Sequence, residues 1–225
     1  MKIAIYGCSF AHELSANRRN IPGKSWSKIL TDDYRHNITN FAISGSSVYY
    51  SYMKFKETHE QFDRVIFLAT LPDRLYCPDF SWQHVSSALL HENFTLPVKE
   101  KNILESYFSH LHNSQEKDDM RELMINEVQR LRATDLLLID SAKTLIHIGD
   151  LDIANINIVS RFKESIFPDP RHCHMNDKNN ATLAEKINNW INGDEFVFNI
   201  HDFSKASLEE IKNYFKPENR DPTYQ

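Results

Sequence analysis

Ser9 is the residue from which a chemistry can be built. It closes the triplet Gly7-Cys8-Ser9, directly behind the apolar run Lys2–Tyr6. A serine alcohol is a poor nucleophile until a base takes its proton. A histidine does so when a carboxylate orients its ring and stabilises the imidazolium. The residue types needed stand together late in the chain, where the Pro-rich stretch Phe167–Asn176 supplies Asp169, His172 and His174. A plain strand-to-loop exit followed by a surface loop is the competing reading of these residues. Cys8, His172, Cys173 and His174 are also ligand types that suit zinc. Adjacent His-Cys-His side chains diverge, however, and no pair has finger-like spacing. We therefore expect no metal and no other cofactor, and Cys8 as nucleophile is a lesser variant.

These groups can act together only if the fold brings them to one place. Lys2–Tyr6 reads as a buried strand that stops at Gly7. Ser25 reads as the N-cap of a short helix through Trp26, Ile29 and Leu30. Asn37–Ile43 is a second strand running into the small residues Ser44-Gly45-Ser46-Ser47. Val48, Tyr52 and Phe55 then share a helix face, and Tyr49, Tyr50 and Tyr52 read as helix-packing groups rather than a base-stacking platform. Arg64–Leu71 is the strongest strand, a continuous apolar run that must break before Pro72. Thr70 and Arg74 stand at its exit.

The span 76–97 is irregular and aromatic, a cover or lid. Residues 99–132 form one or two helices, with Met120, Met124, Val128 and Leu131 as an apolar stripe. Asp135–Ile139 is a fourth strand and Ile153–Val159 a candidate fifth. Leu183, Ala184, Ile187, Trp190 and Ile191 share a helix face that stops near Gly193. A short strand over Phe196–Ile200 and a terminal helix follow. Strands alternating with helices imply an α/β fold: a three-layer α/β/α sandwich around a central parallel sheet with right-handed crossovers. Catalytic groups in such a sheet stand at the carboxyl ends of the strands. Ser9, Gly45, Thr70 and Arg74 all follow strands and so belong to that edge. No repeat or linker divides the chain, so residues 1–225 are expected to form a single domain, with 76–120 as an irregular and helical insertion and 194–225 as a C-terminal extension.

Composition narrows the function classes. The chain has 225 residues, 41% of them hydrophobic and 25% charged, with a net charge of −5. That length suffices for one sizeable core. There is no basic run of the kind that binds nucleic acid: Arg18-Arg19 and Lys54/Lys56 are isolated. Three widely spaced cysteines, without a CxxC pair, argue against a disulfide framework and for a reducing compartment. The N-terminus lacks the apolar core of a signal peptide, and no stretch approaches 18 apolar residues. A cytoplasmic, soluble protein that binds neither nucleic acid nor membrane is expected.

At this point the chain resembles the SGNH/GDSL esterase–lipase hydrolases, over residues 1–193 and with the blocks in the family's order. Gly7-Cys8-Ser9-Phe10 matches the nucleophile block, with Cys8 where the family has aspartate. Asn40-Phe41-Ala42-Ile43-Ser44-Gly45 matches the second block and gives Gly45 the oxyanion role. Ala69-Thr70-Leu71-Pro72-Asp73-Arg74 stands in the third, where the family's asparagine donor is missing. The Thr-x-Pro-x-Arg form is similar to divergent members from bacteriophage genomes. In the fourth block, Asp169-Pro170-Arg171-His172 fits the family's Asp-x-x-His spacing. Counting back from Leu183-Ala184, however, gives His174 as the base, with Asp169 reaching it across a loop two residues longer than usual. His172 is the alternative base.

The resemblance implies a flavodoxin-like SGNH hydrolase fold and a serine esterase with a Ser9–His174–Asp169 triad. It implies an oxyanion hole from Ser9 and Gly45, with the Thr70 hydroxyl or the Arg74 side chain as substitute third donor. The expected substrate is a small-molecule or carbohydrate ester, such as a short-acyl or O-acetyl ester. A non-catalytic binding or structural protein on the same scaffold is the alternative.

Overall fold

The computed structural model describes residues 1–12, 24–70, 74–77, 79, 84–86, 97–111, 115–140, 177–199 and 202–203. Its elements are β1 (Lys2–Tyr6), α1 (Trp26–Asp32), β2 (Asn37–Asn40), α2 (Val48–Thr58), a 3-10 turn (His59–Gln61), β3 (Arg64–Ala69), β4 (Arg74–Tyr76), β5 (His84–Ser86), α3 (Val98–Leu111), α4 (Gln115–Leu131), β6 (Leu136–Asp140) and α5 (Asp177–Ile191). The candidate strand Ile153–Val159 and the terminal helix lie outside the described residues.

The central sheet has the order β2-β1-β3-β6, and β1 and β3 run parallel with Tyr6 opposite Phe67. This is an α/β fold with a parallel central sheet flanked by helices. The order places a switch point between β1 and β3, because the chain leaves β1 toward one edge and returns to β3 on the other side. In doubly wound sheets the crevice at the carboxyl ends of those two strands is where ligands bind.

The chain divides into two compact units, one formed by Met1–Ser9 with Thr39–Ile139, the other by Phe10–Ile38 with Asp140–Gln225. In the first unit, Ala4 and Tyr6 of β1 and Val65, Phe67 and Ala69 of β3 share a face, as strand alternation requires. They form one core with Val48 and Phe55 of α2 and Ile125 and Val128 of α4. Tyr6 anchors it, stacked on Phe41 at 5.2 Å and edge-on to Phe55 at 5.7 Å. The Tyr6 hydroxyl bonds the Thr58 hydroxyl at 2.8 Å, and burial pushes its pKa up to about 12. Ile3, Ile5, Ile66 and Leu68, on the opposite face, are also fully buried, which explains the unbroken apolar run of β3.

α4 buries Val128, as expected of the stripe, together with Arg121 and Ile125, each one position on from the expected Met120 and Met124. Met120 is 56% exposed, while Met124 and Leu131 pack only partly against the core. Tyr49 also departs from the expected packing role and is 49% exposed. Just beyond α4, Arg132 donates to the carbonyls of His59 and Phe62, each at 2.8 Å, and pairs with Asp135. It thereby fixes the approach to β3. The stretch read as irregular from Tyr76 onward contains part of a short antiparallel pair, β4 with β5.

In the second unit, α1 packs against α5. Ser25 caps α1, its hydroxyl accepting from the Lys28 amide. Trp26 Nε1 donates to the Phe10 carbonyl at 2.7 Å and Ser27 Oγ to the Ala11 carbonyl at 2.7 Å. The Trp26 amide donates to Asn180 Oδ1 of α5 at 2.9 Å. Leu183, Ala184, Ile187 and Ile191 are the buried stripe of α5, and Trp190 lies at its margin. Gly193 follows with φ +112°, a conformation that stops the helix and that L side chains rarely adopt. Residues 196–199 form no strand, contrary to their alternating pattern. No partner strand pairs with them among the described residues, and alternation alone does not hold an isolated strand.

Candidate active site

The first unit contains the described half of the candidate site. β1 ends at Gly7, and the ladder with the second strand continues past its formal end: Phe41 N donates to Ile5 O at 2.8 Å and Ile43 N to Gly7 O at 3.2 Å. Ser46 Oγ then donates to the same Gly7 carbonyl at 2.7 Å. The turn carrying Gly45 is thus tied to the backbone two residues before Ser9. Gly45 has φ +82°, the left-handed region that favours glycine. The turn is closed by Ser46 N on Ile43 O at 3.1 Å, and Ser47 caps α2 by accepting from Tyr50 N at 3.2 Å. Asn40 Oδ1 accepts from Ala42 N at 2.9 Å, bending the chain away from β2 toward this turn.

Ser9 is 6% exposed, and Cys8 is fully buried with a free thiol. Ser9 follows Tyr6 of β1 by three residues and Thr70 follows its parallel partner Phe67 of β3 by three, each beyond the end of its strand. Thr70 is buried, and its carbonyl accepts from Arg121 Nε at 2.8 Å. Arg121 Nη2 makes a longer bond of 3.4 Å to Ala69 O. Arg74 opens β4, and its buried Nη1 has no hydrogen-bond partner among the described residues. Beside it in β4, Tyr76 meets Tyr50 of α2 edge-on at 5.2 Å, and burial raises the Tyr50 phenol.

Ser9, Gly45 and Thr70 thus follow the adjacent strands β1, β2 and β3 of one sheet, and Arg74 belongs to the same unit. Asp169, His172 and His174 lie outside the described residues. Among the described residues no group of three or more His, Cys, Asp or Glu side chains could hold a metal ion. No helix among them is long and apolar enough to cross a membrane.

Arg121 is the residue at the exit of β3 that pattern reading missed. The signal was there: on a helix, position 121 precedes Ile125 and Val128 by four and seven residues, which puts a charge on the buried face.

Comparison with protein-family models finds no match, and comparison with curated proteins finds none. Among solved structures, an acetyl xylan esterase is similar over 86% of this chain and 100% of its own, with 13% identity and a TM-score of 0.40. A structure described as a lipolytic protein of the G-D-S-L family, from Desulfitobacterium hafniense DCB-2, is similar over 84% of this chain and 98% of its own. Its identity is 15% and its TM-score 0.35. The α/β fold is defined by the sheet order and by the parallel register of β1 with β3.

Proposed function

We propose that this chain is a serine ester hydrolase acting on a small-molecule or carbohydrate ester. The observation that carries the reading is the bond from Ser46 Oγ to Gly7 O, which couples the Gly45 turn to the Gly7-Cys8-Ser9 turn beside the β1/β3 switch point. In this reading Ser9 Oγ attacks the acyl carbonyl and His174 takes its proton, with Asp169 orienting the imidazole. The backbone N–H groups of Ser9 and Gly45 receive the developing oxyanion. His174 returns the proton to the leaving alcohol. A water, deprotonated by the same histidine, then releases the acyl group and regenerates Ser9. Thr70 or Arg74 takes the place of the absent asparagine donor, and His172 is the alternative base.

A second reading, a non-catalytic binding protein on the same scaffold, draws on the near-complete burial of Ser9 and the lack of that asparagine. Hydrolysis of p-nitrophenyl acetate by wild type and Ser9→Ala separates the two. The esterase reading expects turnover that Ser9→Ala abolishes. Equal rates in both proteins, or none in either across short-chain esters, favour the second.

A further inference from the structure

We infer that Arg121 is a positioning residue for the proposed acyl transfer, holding the Ala69 and Thr70 carbonyls so that the Thr70 peptide faces the acyl oxyanion in a fixed direction. The inference rests on the esterase reading. It starts from a cost: Arg121 is only 6% exposed, on a face whose other members are Ile125 and Val128. Desolvating a guanidinium is expensive, and apolar side chains at such positions are often as stabilising or more so. A methionine would continue the apolar stripe.

What the arginine does there is specific. Its Nε reaches Thr70 O at 2.8 Å and its Nη2 reaches Ala69 O at 3.4 Å. Successive carbonyls of a regular strand point to opposite sides. Two in a row directed at one guanidinium therefore mark the place where β3 stops being a strand. The peptide bond is planar and trans, so holding Ala69 O also fixes the direction of the Thr70 N–H, which points the opposite way. Thr70 is the first residue past β3, the parallel partner of β1, whose exit carries Ser9. It also occupies the block in which the asparagine donor is missing. A backbone set by a rigid fork on a packed helix offers a preorganised donor where a side-chain donor is absent.

α4 and the residue that follows it both hold the β3 segment. Arg132 grips the carbonyls of His59 and Phe62 before the strand, and Arg121 grips those of Ala69 and Thr70 at its end.

The test is steady-state hydrolysis of p-nitrophenyl acetate by full-length wild type, Arg121→Met and Arg121→Lys, with thermal unfolding of each. Arg121→Met is expected to lower kcat about 10²-fold with KM within about twofold, the size of effect that a misplaced group produces. Arg121→Lys, which can serve one carbonyl at a time, is expected to recover part of that loss, to about tenfold below wild type. A folded Arg121→Met with kcat within twofold of wild type overturns the inference. So does Arg121→Lys at the wild-type rate where the methionine variant does not fold, or a loss that appears in KM alone. If wild type itself shows no Ser9-dependent turnover, the esterase reading fails and takes this inference with it. An active wild type with an indifferent Arg121 overturns this inference only.

Discussion

Ser46 Oγ donates a 2.7 Å hydrogen bond to the carbonyl of Gly7, across 39 positions of sequence. Both residues are in the first unit, and both flank groups that the esterase reading needs. Ser46→Ala leaves the Gly7 carbonyl with the Ile43 amide but frees the Gly45 turn to drift. We expect a stability loss of about 1 kcal/mol, the usual net worth of one such bond. In the p-nitrophenyl acetate assay we expect kcat to fall about tenfold with little change in KM, since the oxyanion donors act in the transition state. Urea unfolding and initial rates check the two halves separately.

The buried face of α4 gives a contrast between neighbours. Ile125 lies in the core with Tyr6, Phe55 and Phe67, whereas Met120 points to solvent. Ile125→Ala is expected to cost about 2–5 kcal/mol, as large-to-small core changes do. Met120→Gln is expected to stay within about 0.5 kcal/mol of wild type. Equal effects in urea denaturation would mean that the helix face is wrongly assigned.

His59 predicts a pH dependence of stability. Its ring stacks on Phe55 with centroids 4.4 Å apart, and its buried Nδ1 has no hydrogen-bond partner among the described residues. Burial, aided by the Arg132 charge, holds its pKa below the ordinary 6.5. With a depressed pKa, the folded protein resists protonation that the unfolded chain accepts. Stability from this group is therefore complete above about pH 7 and falls as pH drops through 6.5 toward the folded value, then levels off. His59→Leu is expected to flatten that segment of a stability profile between pH 5.5 and 7.5. An unchanged slope in the variant would assign the dependence to another group.

The parts of this architecture legible in the sequence are those that local chemistry decides. β3 was legible because a strand buried on both faces must be apolar throughout. The caps at Ser25 and the turn after β2 were legible because hydroxyls before a helix, and a glycine among small residues, each have one common use. Met120 and Tyr49 were misplaced because the face of a helix that is buried depends on what packs against it, and a methionine or tyrosine tolerates either side. Phe196–Phe198 alternates like a strand, yet a strand needs a partner. The role of Arg121 needed the tertiary contact to Thr70, which no spacing within α4 announces. In the candidate site, Ser9, Gly45 and Thr70 were legible as strand exits once the alternation of strands and helices was recognised. The assignment of Asp169, His172 and His174 remains a proposal drawn from motif order.

The measurement closest to the central claim is covalent labelling of Ser9. Intact-mass and peptide analysis after treatment with a fluorophosphonate should show one adduct on wild type, mapped to Ser9. It should be absent from Ser9→Ala and strongly slowed in His174→Ala. No adduct on folded wild type, or an adduct that persists in Ser9→Ala, would contradict the assignment of Ser9 as nucleophile.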